Sequence, residues 1–148
     1  LVARLAYQKA ADVAPRVDRC LLVACDTVAE CQGQVLGKPA DAAQAAALLR
    51  QLSGRTHQVH TAVWLVSAGR EQSALVSTEV RFSALSEAEI AAYIATGEPF
   101  GKAGAYAVQG RAAAFIAGIT GSYSGVMGLP LHETAVLLRN FGVPLWSV

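Results

Sequence analysis

The sequence carries little charge of either sign and has no long apolar run. Charged residues make up 16% of its 148 residues, and the formal net charge is +1. It therefore lacks the basic field that a dedicated nucleic-acid-binding protein carries. One of the longest apolar stretches covers only residues 112–119, far below the roughly 20 residues that cross a bilayer. We expect no nucleic-acid partner and no membrane partner.

Cysteine is also scarce. The three cysteines, Cys20, Cys25 and Cys31, are an odd number without CxxC spacing, which argues against a disulfide framework and favours a reducing, cytoplasmic location. His57 and His60 complete no zinc-ligand spacing, and on a strand they would point to opposite faces. We therefore expect structural or surface histidines. A GxxxxGK[ST] phosphate loop is absent as well.

Apolar residues are abundant, at 53% of the chain, which indicates one folded domain with a sizeable core. The patterns predict a helix that ends at Pro15, a buried strand at 20–24, a helix from Asp41 to Gly54, a long hairpin turning at 68–70, a helix capped by Ser86, short strands at 106–108 and 113–119, and a last helix after Pro130. Because strands and helices alternate, we predict an α/β fold with a mixed sheet.

Polar side chains gather in three predicted loops, which hold Asp26-Thr27 with Glu30, Lys38 in a Gly-Lys-Pro turn, and the stretch from Lys102 to Gln109. Ligands of open α/β sheets usually lie beyond the carboxyl ends of strands, and Asp26 follows a predicted strand at once. A carboxylate can hold a divalent cation or activate a water, and lysines on glycine-flanked turns can approach phosphates. The combination predicts phosphate chemistry, although each residue alone also fits an ordinary turn or cap.

Four segments make a more specific combination. They are ACDTVAECQGQVLGKP, LSGRTHQVHTAV, GEPFGKAGAYAVQG and GSYSGVMGLPL, in that order. With nearly all of the rest of the chain, they resemble the Maf family of nucleoside triphosphate pyrophosphatases. The resemblance implies an elongated mixed β-sheet with flanking helices and a cleft between two lobes. It also implies a cytoplasmic homodimer that hydrolyses nucleoside triphosphates to the monophosphate and pyrophosphate with a divalent cation, Mg²⁺ or Mn²⁺. The family is linked in addition to inhibition of septum formation.

The same resemblance suggests a role for each matching residue. Asp26 would be the general base and the metal-site carboxylate, Lys38 a catalytic phosphate contact, Lys9 and Lys102 substrate-binding residues, and Thr27 and Gln109 residues of base selectivity. Asp26-Thr27 and residues 106–110 are similar to the group that prefers dTTP and UTP rather than 7-methyl-GTP. The Gln109 carboxamide can donate to O4 and accept from N3–H of uracil or thymine. Because an amide can flip, Gln109 alone does not exclude CTP or modified pyrimidine triphosphates.

One departure from the family pattern affects the expected activity. The family's opening strand and its Ser-x-Ser-Pro-Arg-Arg loop have no match here, since residues 14–16 are not a substitute. We expect a single Maf-like domain over residues 1–148 that is N-terminally truncated or degenerate. Two classes of function stay open. One is a dTTP/UTP pyrophosphatase, with a 7-methyl-GTP-preferring enzyme as its variant. The other is a non-catalytic nucleotide-binding or septum and cell-division regulatory module.

Overall fold

A long β-hairpin lies at the centre of the fold, which a computed structural model describes for residues 1–17 and 20–146. The five strands are β1 (Leu22–Cys31), β2 (Gln34–Leu36), β3 (Thr56–Ser67), β4 (Arg70–Phe82) and β5 (Ile116–Thr120). They form one sheet in the order β2-β1-β3-β4-β5. The helices are α1 (Val2–Val13), α2 (Ala42–Leu52), α3 (Glu87–Ala95), α4 (Tyr123–Met127) and α5 (Leu131–Asn140).

Period-two alternation divides β3 between two packed faces. On one face, Val59 belongs to a core cluster with Leu49 of α2 and Ile90 of α3, and Val63 belongs to a second cluster with Leu137 of α5. On the other face, Ala62 and Trp64 pack against α1. The sheet is thus covered by helices on both sides, as an α/β fold requires. His57 is buried on the first face and His60 is partly exposed on the second, which confirms the expectation for the two histidines.

Local signals set several boundaries as predicted. Asp41 caps α2 by accepting a hydrogen bond from the Gln44 N–H at 2.8 Å. Ser86 and Glu89 form a capping box at the start of α3. The hairpin between β3 and β4 turns at Ala68 and Gly69. These elements were predictable because the capping and turn residues are adjacent in sequence to the groups that they satisfy.

The predicted mixed sheet is wrong for the described residues, because every strand pair among them is antiparallel. Helix α2 does connect two strands that run in the same direction, β2 and β3. They are not neighbours, however, because β1 lies between them. A helical connection therefore does not establish parallel pairing, and α3 likewise lies between β4 and β5, which are antiparallel neighbours.

Three strand predictions also need correction. The strand predicted at 20–24 begins at Leu22 and continues to Cys31, so Asp26 lies inside it and not at its end. Residues 106–108 form no strand. The strand predicted at 113–119 is a 3₁₀ turn up to Phe115, followed by β5. Strand β2 and helix α4 were not predicted. Within the described residues, no helix combines the length and the apolar character needed to cross a bilayer.

Candidate active site

One cavity of about 390 Å³ brings together residues from distant parts of the chain. It is bounded by α1, β1, β3, the stretch from 101 to 109 and the end of α4. All six residues selected from the sequence line it, namely Lys9, Asp26, Thr27, Lys38, Lys102 and Gln109. The sequence contains three lysines, and each of them is on this list. The cavity is therefore a concentrated cationic site with one carboxylate, Asp26, in its lining.

Asp26 and Lys9 form an ion pair at the wall of the cavity. Lys9 Nζ lies 2.5 Å from Asp26 Oδ1 and donates a second hydrogen bond to the Cys25 carbonyl at 3.0 Å. The Asp26 side chain is only 16% exposed, so the pair is partly shielded from water. Lys9 comes from α1, which packs over β1, whereas Asp26 lies within the strand. The contact thus depends on the packing of the helix on the sheet.

The edge of β1 next to Asp26 is open among the described residues. Strand β2 pairs only with Ala29–Cys31, whereas residues 22–30 of β1 pair with β3 on the other side. Asp26 lies within β1 opposite Ala62 of β3, on the face of the sheet that α1 covers, and not at the carboxyl end of a strand.

The turns that carry Lys38 and Lys102 are joined by a backbone hydrogen bond. Gly104 N–H donates to the Gly37 carbonyl at 3.1 Å. Gly104 has φ of 72°, and a Cβ there would lie 3.5 Å from the Ala29 side chain. Glycine suits this position because it adopts positive φ without strain and permits close packing on β1. The hydrogen bond holds the two lysine-bearing turns beside each other at the mouth of the cavity.

Glu98 organises the loop that ends at Gln109. Its carboxylate accepts hydrogen bonds from the Tyr93 hydroxyl at 2.7 Å and from the N–H groups of Arg111 at 2.9 Å and Ala112 at 3.2 Å. Burial pushes the pKa of Glu98 upward, but these hydrogen bonds together hold it below its usual value. The carboxylate thus ties α3 to the chain immediately after Gln109.

The buried side chains of His57 and Tyr106 form a pair next to the cavity. His57 Nε2 lies 2.8 Å from the Tyr106 hydroxyl, and both rings pack edge to face with Phe82. Burial lowers the pKa of His57 to about 4 and raises that of Tyr106. Tyr106 lines the cavity, so this neutral pair fixes one side of the pocket in which Gln109 lies.

Sequence reasoning missed Glu98, Tyr106 and Thr61 as contributors to the site. Glu98 stands in GEPFGKAG and Thr61 in LSGRTHQVHTAV, two of the segments that carry the family resemblance. The signal available in the sequence was that Glu98 and Thr61 are polar residues within those segments. Their hydrogen-bond partners, however, lie between 5 and 64 positions away in the sequence.

The side chains offer a divalent cation a partial site. Among the described residues, no group of three or more His, Cys, Asp or Glu side chains is placed to hold a metal ion. Asp26 is the carboxylate that lines the cavity. Mg²⁺ in phosphate-transfer sites commonly binds one or two carboxylates together with substrate phosphates and water. The donor set therefore fits a cation shared with a bound triphosphate and does not form a closed protein cage.

Comparison with known proteins identifies the family of this chain. A family model described as "Maf-like protein" matches residues 1–141. This chain belongs to the Maf-like family. The match includes every element that lines the cavity, so the predicted family resemblance is confirmed.

Individual relatives of this Maf-like chain are closely similar in sequence. It is 60% identical over 120 residues to a dTTP/UTP pyrophosphatase of Aromatoleum aromaticum, covering 81% of this chain and 58% of the relative. It is 50% identical over 147 residues to a dTTP/UTP pyrophosphatase of Symbiobacterium thermophilum, covering 99% and 76%. It is also 58% identical over 117 residues to a nucleoside triphosphate pyrophosphatase of Xylella fastidiosa, covering 78% and 62%. The matches thus span 58% to 76% of the length of these relatives.

Proposed function

We propose that this Maf-like chain binds dTTP and UTP and takes part in their hydrolysis to the monophosphate and pyrophosphate. The observation that carries the proposal is the single cavity in which Asp26 lies with all three lysines of the chain. Relatives named dTTP/UTP pyrophosphatase, 50–60% identical to this chain, support the choice of substrate. The finer expectations of a two-lobed cleft, a single truncated domain, a homodimer and a cytoplasmic location stay predictions.

The lysines suit a triphosphate because of where they stand. Lys38 and Lys102 lie on joined turns at the mouth of the cavity, where ammonium groups can reach several phosphate oxygens. Negative charge moves onto the leaving pyrophosphate as the anhydride bond breaks, and fixed cations stabilise that charge. We assign Lys38 and Lys102 to this role and Lys9 to positioning Asp26.

Asp26 is the group proposed to take the proton from water. The water oxygen forms a bond to the α-phosphorus while the bond from that phosphorus to its bridging oxygen breaks, and the electron pair leaves with pyrophosphate. The proton of the water passes to the Asp26 carboxylate. Lys9 binds Oδ1, which leaves Oδ2 to accept the proton. The ion pair therefore fixes the orientation of the base.

A divalent cation fits this scheme at Asp26. When bound there and to the phosphates, Mg²⁺ or Mn²⁺ would neutralise part of the phosphate charge. Among the described residues, Asp26 would be its protein ligand.

A second function is favoured by one specific observation. Among the described residues, the lining of the cavity offers only three lysine ammonium groups to a triphosphate. Nucleotide binding without turnover, in a regulatory module, is therefore the alternative. The two functions differ in whether pyrophosphate is released.

The test is pyrophosphate release from dTTP, UTP, CTP and 7-methyl-GTP with Mg²⁺ or Mn²⁺. We expect dTTP and UTP to be preferred. Asp26→Asn should nearly abolish release while leaving the fold intact, because the amide keeps the shape of the carboxylate but cannot accept the proton.

The matched control is Asp12→Asn, since Asp12 is an exposed residue of α1 outside the cavity lining. If the Asp26 variant stays within about threefold of the parent, a barrier change of about 0.65 kcal/mol, Asp26 has no role in the reaction. Tight binding of nucleotide without release in the unaltered chain would favour the regulatory module.

A further inference from the structure

Two threonine hydroxyls form a short relay behind the cavity. Thr27 on β1 is paired directly with Thr61 on β3, and their Oγ1 atoms lie 2.9 Å apart. Thr61 Oγ1 also lies 2.7 Å from the carbonyl oxygen of Gly125 in α4. Thr61 is 1% exposed and is not part of the cavity lining, whereas Thr27 lines the cavity. The relay thus runs from a buried helix carbonyl to the surface of the pocket.

The direction of each hydrogen bond follows from counting protons. A carbonyl oxygen can only accept, so the single hydroxyl proton of Thr61 goes to Gly125. The contact between the two hydroxyls then needs its proton from Thr27. Thr27 has no second proton, and what remains free on its oxygen is a lone pair. Toward the cavity, the Thr27 hydroxyl is therefore an acceptor.

The end of the relay is held firmly. The Gly125 carbonyl also accepts from Gly128 N–H at 3.0 Å, and Gly125 N–H donates to Ser122 Oγ at 3.0 Å. Ser122 N–H in turn donates to Thr78 Oγ1 on β4 at 3.0 Å. Since α4 is fixed to the sheet, the Gly125 carbonyl cannot turn away from Thr61 without breaking several bonds. The acceptor character of Thr27 is a fixed property of the fold.

A hydroxyl that can only accept a hydrogen bond can discriminate between bases, which an amide that is free to flip cannot do. Gln109 can present either its oxygen or its NH₂ group to a base, so it serves O4 of uracil and the N4 amino group of cytosine equally well. We propose that Thr61 locks Thr27 as an acceptor for N3–H of the base, and that this lock makes the site prefer uracil and thymine to cytosine. The proposal rests on the proposed binding of pyrimidine nucleoside triphosphates, and it names Thr61 as a positioning residue for selectivity.

The discrimination has a simple physical origin. Uracil and thymine carry a proton at N3 and satisfy the Thr27 lone pair. Cytosine carries a lone pair at N3, so two acceptors would face each other and both would lose the hydrogen bonds that they make in water. Leaving partners unsatisfied on binding costs more than a missing contact. Gln109 then contacts only the substituent at position 4 of the pyrimidine ring, which is O4 in uracil and the N4 amino group in cytosine.

The experiment measures binding, so that it does not depend on turnover. The probes are the α,β-imido analogues of UTP and CTP, titrated calorimetrically with Mg²⁺ present. We expect the unaltered chain to bind the UTP analogue more tightly. Thr61→Val keeps the shape but removes the relay, which frees the Thr27 hydroxyl to rotate and donate. The ratio of the two dissociation constants should fall about tenfold, equivalent to about 1.4 kcal/mol.

Two further variants isolate the hydroxyl. Thr61→Ser retains the relay and should retain the ratio of the unaltered chain. Thr134→Val is the matched buried control, because the Thr134 hydroxyl donates to the Pro130 carbonyl and to no residue of the relay; it should weaken stability while leaving the ratio unchanged. A ratio that falls equally in Thr134→Val would show a general loosening of the fold and overturn the proposal.

The remaining outcomes separate this inference from the proposed function. If the UTP analogue binds and Thr61→Val keeps the original ratio, the relay is irrelevant and only the inference fails. If neither analogue binds the unaltered chain, the proposed function and the inference fail together. Should Thr61→Val not fold, Thr27→Val removes the acceptor itself and must lose the same preference. An unchanged ratio in that variant also overturns the proposal.

Discussion

At the scale of single residues, the two histidines of β3 show how position on a strand decides burial. His57 is buried beside Phe82 and Tyr106, and burial lowers its pKa to about 4. His60 lies on the opposite face, where Nδ1 is 2.8 Å from Ser77 Oγ and Nε2 is 3.5 Å from Glu30. The two side chains thus differ in solvation although they are three positions apart.

The buried histidine predicts a loss of stability in acid. Above pH 6.5, His57 is neutral in both the folded and the unfolded chain and adds no pH dependence. Between pH 6.5 and about 4 the unfolded chain binds a proton that the folded chain does not, so the free energy of unfolding falls as the pH falls. The full loss is about 3 kcal/mol, at about 1.4 kcal/mol per pKa unit.

Chemical denaturation from pH 7.5 to 4.5 tests this prediction with a matched pair of variants. His57→Gln should lack the acid-dependent part of the loss, although it lowers stability at all pH values. His60→Gln, which removes a histidine from the opposite face, is the matched variant, and His57→Gln should have the smaller slope of the two. Equal slopes in all three proteins would mean that His57 titrates alike in the folded and unfolded states.

At the scale of elements, the predictions that succeeded were those with local causes. The cap at Asp41, the capping box at Ser86 and the turn at Gly69 act on neighbouring residues and are visible in sequence. The extent of β1 was wrong because it is set by pairing with β3 from Leu22 to Glu30. Because Asp26 and Thr27 are polar, they resembled residues at the end of a strand. Pairing with β3 residues more than thirty positions away extends the strand through them.

The candidate site was predicted from motifs, whereas its supports were not. Asp26, Lys38 and Lys102 stand in short segments whose residue types indicate phosphate chemistry. Glu98 and Thr61 act through hydrogen bonds that close only after the sheet and the loop have packed. Sequence therefore indicated which groups meet in the cavity, and the structure was needed to see what holds them.

The loop between α3 and β5 provides a prediction at this scale. Glu98→Gln replaces one accepting oxygen by an NH₂ group that faces the N–H donors of Arg111 and Ala112. Because a donor would be left without its partner, we expect a loss of about 1–3 kcal/mol in the free energy of unfolding. Nucleotide binding should weaken as well, since Gln109 precedes these residues.

A control variant on α3 separates effects of the loop from effects of the helix that precedes it. Glu87→Gln removes the exposed ion pair with Arg50 and should change binding very little. Gly110→Ala should resemble Glu98→Gln, because a Cβ at Gly110 would lie 2.4 Å from Glu98 Oε1. Unchanged nucleotide affinity in both loop variants would show that Glu98 does not position Gln109.

At the scale of the whole molecule, lysines and arginines differ in where they lie. The chain has 12 lysines and arginines together, of which three are lysines. All three lysines line the cavity, while none of the arginines in the part of the chain that the structure describes does. An amine-selective reagent therefore modifies the candidate active site almost alone, so the reactivity of the lysines in the unaltered chain reports on that site.

The last prediction uses this distribution. Treatment with a low concentration of N-hydroxysuccinimidyl acetate should acetylate Lys38 and Lys102 readily, because both are exposed at the mouth of the cavity. Excess UTP analogue with Mg²⁺ should slow their acetylation several-fold, as measured by peptide mass spectrometry, since bound phosphates cover both ammonium groups. An unrelated lysine-containing peptide added to the same reaction should react at the same rate with and without nucleotide. A uniform effect on all amines would reflect consumption of reagent, and no protection at either lysine would place the triphosphate elsewhere. Protection of Lys102 without Lys38 would contradict the role of the joined turns, because their hydrogen bond presents both lysines to one ligand.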